Sequence, residues 1–188
     1  MLAPIRIKRC QLMRPVLALA ALLAFPLAAQ AQSTEAPEKD ELVIEGIGLS
    51  RDIPCEGQNI GIYGAENEIG LTGDCGTVIV HGSGHQVTLD QARELVVSGA
   101  GHVVSAGSVA ALSVETAGHI INATLAANPG LAQVRVDGAD HTLNLTLATE
   151  ADIAVNGTKQ VLNWSLAAGA PEPHIVAGGI DNAINRVQ

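Results

Sequence analysis

Val78-Ile79-Val80-His81-Gly82-Ser83-Gly84-His85 is one copy of a phrase that this 188-residue chain writes seven times. The other copies are IGIYGAEN from Ile60, LVVSGAGH from Leu95, LSVETAGH from Leu112, VRVDGADH from Val134, IAVNGTKQ from Ile153 and IVAGGIDN from Ile175. They begin 18, 17, 17, 22, 19 and 22 residues apart. That period is too short for a pair of helices and suits one coil of a β-solenoid. Leu42-Val43-Ile44-Glu45-Gly46 reads as a degenerate earlier coil, because Ile44 and Gly46 each lie 18 residues before Ile62 and Gly64.

Within each copy the apolar residues alternate, as in Val78 and Val80 or Leu95 and Val97, which predicts a strand with one inward face. A second strand follows the turn, with Val87 and Leu89, Val104 and Ala106, Ile121 and Ala123, and Leu143, Leu145 and Leu147 inward, continued by Leu162, Trp164 and Leu166. Glycine recurs at Gly64, Gly82, Gly99, Gly138, Gly157 and Gly179, where a bend with positive φ is expected, and Thr116 alone breaks the rule. The expected fold is all-β: a right-handed parallel β-helix (β-solenoid) of about seven to eight short coils, since parallel crossovers default to the right hand. A narrow Val, Ile, Leu and Ala core agrees with an aromatic content of 2%.

Arg6, Lys8, Arg9 and Arg14 precede an apolar run from Pro15 to Ala29 and the small-residue pattern Ala29-Gln30-Ala31. This predicts a secretory signal peptide over 1–31, a flexible lead-in over 32–41 and a single solenoid domain over 42–188. A periplasmic or secreted location follows, without membrane insertion after cleavage. Removing 1–31 takes four of ten basic residues and none of nineteen acidic ones, so the balance becomes 6 − 19 = −13. A chain so acidic is a poor partner for nucleic acid.

Cys55 and Cys75, twenty residues apart, are expected to form a disulfide between neighbouring coils in an oxidising compartment. No Cys-x-x-Cys pair or nearby histidine completes a metal set with them.

His85, His102, His119 and His141 share one place in the repeat with Asn67, Gln160 and Asn182. A place that accepts Asn, Gln or His favours a hydrogen-bonded ladder. The alternative is a Zn or Cu site built from the four imidazoles, although side chains stacked in parallel do not converge as metal ligands must. Four neighbouring histidines also predict acid sensitivity, because they cannot all become charged cheaply below about pH 6.5.

A second, outward column runs through Thr88, Ser105, Asn122, Asn144, Asn163 and Asn185, with Thr124, Thr146 and Ser165 two residues on. Asn122 to Thr124, Asn144 to Thr146 and Asn163 to Ser165 match glycosylation acceptors. Their recurrence at one place predicts a stacked polar face, with three regular rows favouring an ordinary solvated surface and a repetitive ligand such as a polysaccharide or ice as the alternative. Catalytic signatures are missing: Asp137 and Asp140 are close in sequence but fall on a strand and in a turn, whereas a glycosidase needs facing carboxylates.

The phrases GIYGAENEIGLTGDC from Gly61 and IVHGSGHQVTL from Ile79 resemble the domain of unknown function 3060 family, bacterial secreted proteins. The similarity runs from about Ile53 to Val187. Family members tend to carry Asn where this chain has His85, His102, His119 and His141, and the family brings no catalytic residues. Two expectations remain. The first is a non-catalytic structural or interaction module without cofactor, meeting an unknown protein or envelope polymer. Its rival is a metal-binding protein, with carbohydrate binding or processing behind both.

Overall fold

The computed structural model describes residues 41–127 and 129–188. The expected signal peptide and nearly all of the expected lead-in lie outside these residues. Among the described residues the first strand starts at Glu41, one residue before the expected Leu42.

The thirteen strands of the described residues belong to one sheet in which every pairing is parallel, and the sheet is wound into about eight coils. The first strand of successive coils is β1 (Glu41–Ile47), β3 (Asn59–Ala65), the later parts of β4 (Glu68–Ser83), β5 (Gln86–Ala100) and β6 (Val103–Ala117), then β8 (Ala132–Ala139), β10 (Ala151–Thr158) and β12 (His174–Ile180). The second strand is β2 (Ser50–Glu56), the early parts of β4, β5 and β6, then β7 (Ile120–Leu125), β9 (Thr142–Leu147), β11 (Val161–Leu166) and β13 (Ala183–Arg186). In the three coils between Ile60 and Leu112 the second strand runs into the next first strand without a break, which makes β4, β5 and β6 long. Longer coils spend their extra residues between β7 and β8, between β9 and β10, and between β11 and β12.

The register is the one the repeats predict. Leu42 pairs with Ile60, Ile60 with Val78, Val78 with Leu95, Leu95 with Leu112, Leu112 with Val134, Val134 with Ile153 and Ile153 with Ile175. Inward positions form one continuous core, in which Ile60, Ile62, Val78, Val80, Leu95 and Val97 are fully buried. Each such side chain contributes about 1.5–3 kcal/mol relative to exposure. A short third side joins Asp74, Gln91 and Ser108, with Cys75, Ala92 and Val109 beside them. The sequence phrases did not disclose this side.

Gly82 shows why the bend wants glycine: its φ is 132°, and a Cβ there would strike the Gly64 carbonyl one coil back and come within 2.9 Å of His85 Nε2. Thr116 occupies the equivalent place at φ 83°, a conformation that a β-branched residue adopts only under strain. The strand pairing is interrupted beside it, between Val97/Val114 and Ala100/Ala117. The Gly99 N–H donates instead to Thr116 Oγ1 at 3.2 Å.

Cys55 and Cys75 form the expected disulfide, with Cα atoms 4.9 Å apart. The bond staples the second strand of the first coil to the short third side of the next.

Candidate functional site

Two columns of polar side chains run along the coils, one inside and one outside. The inner column lies at the turn between the two strands. The residue just before each member has positive φ, from Glu66 at 54° to Gly118 at 71°, and Asp140, Lys159 and Asp181 lie between them. This left-handed residue swings the next side chain into the interior, so His85, His102, His119, His141 and Gln160 are completely buried and Asn67 nearly so.

All seven members make the first of two contacts, and five make the second. In the first, the acceptor atom takes the backbone N–H of the equivalent residue one coil back. Asn67 Oδ1 accepts from Leu49 at 2.9 Å, His85 Nδ1 from Asn67 at 3.2 Å, His102 Nδ1 from His85 at 3.0 Å, His119 Nδ1 from His102 at 3.2 Å and His141 Nδ1 from His119 at 3.2 Å. Gln160 Oε1 and Asn182 Oδ1 continue the series at 3.2 and 2.9 Å. The other nitrogen donates to the carbonyl four residues earlier: Asn67 Nδ2 to Tyr63, His85 Nε2 to His81, His102 Nε2 to Ser98, His119 Nε2 to Glu115 and Asn182 Nδ2 to Gly178. Imidazole and amide are therefore interchangeable parts. Because Nδ1 faces a donor, these rings are neutral with the proton on Nε2. At His141 the Asp137 carbonyl still favours charge on the ring, yet Nε2 closes no hydrogen bond there, and Gln160 Nε2 is also unpartnered among the described residues.

The four rings stack with centroids 4.9 Å apart and planes within 7° of parallel. Burial dominates their electrostatics: it pushes all four below the ordinary histidine value, and His119 down to about 4. Backbone carbonyls oppose that shift, while neighbouring rings reinforce it at His102 and His119. Nδ1 is committed on every ring and Nε2 on three, and parallel rings share no focus. Among the described residues no group of three or more His, Cys, Asp or Glu side chains is placed to hold a metal ion.

The outer column behaves differently. Asn144 Nδ2 donates to Asn122 Oδ1 at 2.9 Å, Asn163 Nδ2 to Asn144 Oδ1 at 2.9 Å and Asn185 Nδ2 to Asn163 Oδ1 at 3.1 Å. Thr124, Thr146 and Ser165 form the next column over. On the other flank Val103 and Ile120 are 40% and 44% exposed. A shallow groove of about 460 Å³ opens over Ser105, Gly107, Asn122, Thr124, Asn144 and Thr146, with no charged side chain in its lining. The predicted polar residues are thus brought together on one surface.

A second groove of about 430 Å³ on the first-strand face includes Glu94, Ser113, Arg135, Asp152, His174 and Val176 in its lining. Its charges are partly spent: Arg135 Nε lies 2.6 Å from Asp137, and His174 Nδ1 lies 3.4 Å from Asp152. Asp137 faces out from β8, whereas Asp140 sits in the turn at φ 58°.

Comparison with curated proteins and with solved structures gave no match. Over residues 62–119, from the third residue of the first full phrase to the third stacked histidine, the chain matches the family described as protein of unknown function (DUF3060), the one its phrases resemble.

Proposed function

We propose that this is a non-catalytic exported β-solenoid, a structural or interaction module of the periplasm or cell exterior whose amide face meets an envelope polymer or a partner protein. The observation that carries the reading is the asparagine ladder. Asn144 and Asn163 are each held by a neighbour on both sides, and each keeps one N–H and one oxygen lone pair for a ligand. Such pre-ordered groups bind without the ordering cost that free side chains incur. An uncharged polymer fits best, since the groove offers amides, hydroxyls and exposed aliphatic flanks but no charge.

Export is supported by the basic and apolar N-terminal sequence and by the disulfide. No helix of the described residues is long and apolar enough to cross a membrane. The non-catalytic part is supported by spacing. Glu94 and Asp152, the acids of the first-strand groove, sit three strand intervals apart, or about 14 Å between backbones. A glycosidase pair needs about 5–9.5 Å.

Native electrophoresis through gels containing soluble neutral polysaccharides tests the surface. Retardation of the protein, lost in Asn144→Asp, is the expected result. Equal mobility with and without every such polymer would remove the polymer as ligand.

A further inference from the structure

The inner column tolerates asparagine and glutamine, yet its four central places hold histidine. Geometry makes that choice consequential. A neutral ring accepts at Nδ1 and donates at Nε2, as an amide does, but a protonated ring donates at both. Each Nδ1 of His85, His102, His119 and His141 faces a backbone N–H at 3.0–3.2 Å. A proton added there sets donor against donor. It also breaks the side-chain link to the preceding coil and leaves a buried backbone N–H without a partner.

We infer that the stacked imidazoles are a proton-operated release for the central coils: below neutral pH, protonation turns each ring from a tie between coils into a repulsive contact, and the coils from Asn67 to His141 loosen together. Stacking couples the rings, because a charge on one lies 4.9 Å from the next. Asn67, Gln160 and Asn182 carry no such group, so the ends of the ladder keep their ties.

The charged surroundings are sparse. His81, outward on β4, opposes charge on His85 and His102, and within the stack His102 and His141 oppose it on His119. Asp140, in the turn beside His141, favours charge on that ring alone. Carbonyls of His81, Ser98 and Glu115 favour it on the other three, and burial outweighs them. The sign follows. Folded values lie below the unfolded value of about 6.5, so the unfolded chain binds more protons. Stability is complete above about pH 6.5 and falls as pH drops, with His119 contributing down to about pH 4.

The test is equilibrium unfolding in urea between pH 7.5 and 4.5. The comparison is a variant carrying His85→Asn, His102→Asn, His119→Asn and His141→Asn, which keeps every carboxylate together with His81 and His174. The wild-type unfolding constant is expected to rise as pH falls by up to about ten-fold per pH unit for each histidine, and the variant's slope is expected to be shallower by that amount. If the fourfold variant does not fold, His102→Asn and His119→Asn singly should each remove about one proton from the slope. Ring nitrogen NMR at pH 7.5 should show the Nε2-protonated form on all four residues. A wild-type constant flat from pH 7 to 5, equal slopes in wild type and variants, or Nδ1-protonated rings would overturn the proposal.

Discussion

His102 shows how a single side chain can be judged by the atoms it offers rather than by its chemical class. Its Nδ1 and Nε2 stand where Oδ1 and Nδ2 of Asn67 stand in an earlier coil. His102→Asn should therefore fold at neutral pH with stability within about 1 kcal/mol of wild type, whereas His102→Leu strands the His85 N–H and the Ser98 carbonyl and should cost about 2–5 kcal/mol. Urea unfolding distinguishes the two. Thr116 is the opposite case, a residue whose backbone does not suit it. Thr116→Gly should relieve strain of about 1 kcal/mol, allow the ladder beside Gly99 to close, and raise the melting temperature by about 2–4 °C. Calorimetry gives the answer. The sequence disclosed that Thr116 was the exception, but not that its hydroxyl replaces a ladder partner, because that bond depends on the neighbouring coil.

Among the strands, β7, β9, β11 and β13 carry the asparagine ladder on exposed faces, so its hydrogen bonds compete with water and contribute little net stability. Asn144→Asp removes the donor to Asn122 and sets two oxygens against each other. A stability change under about 1 kcal/mol, with loss of polymer retardation, is expected from parallel unfolding and gel experiments. The residues of this face were legible from periodicity alone, since position in the repeat decides which way a strand residue points. Bonds between their amides were not, because asparagine recurrence fits free solvated side chains equally well. The inner column illustrates a different limit. Its membership could be read from spacing, but its complete burial comes from the left-handed residue before it, and Glu66, Asp140 and Lys159 do not advertise that conformation as glycine does.

For the whole molecule, repeat spacing was enough to place each of the eight coils, because a parallel stack leaves little freedom once equivalent residues are aligned. Glu41 to Ile47 joined that stack despite lacking most of the phrase. What spacing could not supply was the short third side through Cys75, Ala92 and Val109, where no strong apolar alternation marks a strand. The disulfide ties this side to the first coil. Replacing Cys55 and Cys75 with serine should cost about 2–4 kcal/mol. Hydrogen exchange should then show fraying confined to β1 and β2, since a coil is held mainly by its neighbour.

Because each inner side chain reaches beyond its own coil only to the coil before it, the protein can be edited in length. Excising Val103 to His119, one 17-residue period, would let His141 Nδ1 receive the His102 N–H that His119 now takes. Val103 and Ile120 pair at the start of the cut, so Ile120 would follow His102 and take Val103's place beside Gln86, with one row missing rather than with a register slip. A shortened protein that still melts cooperatively would show that length here is a count of interchangeable links, open to gain or loss by simple duplication and deletion of coding segments.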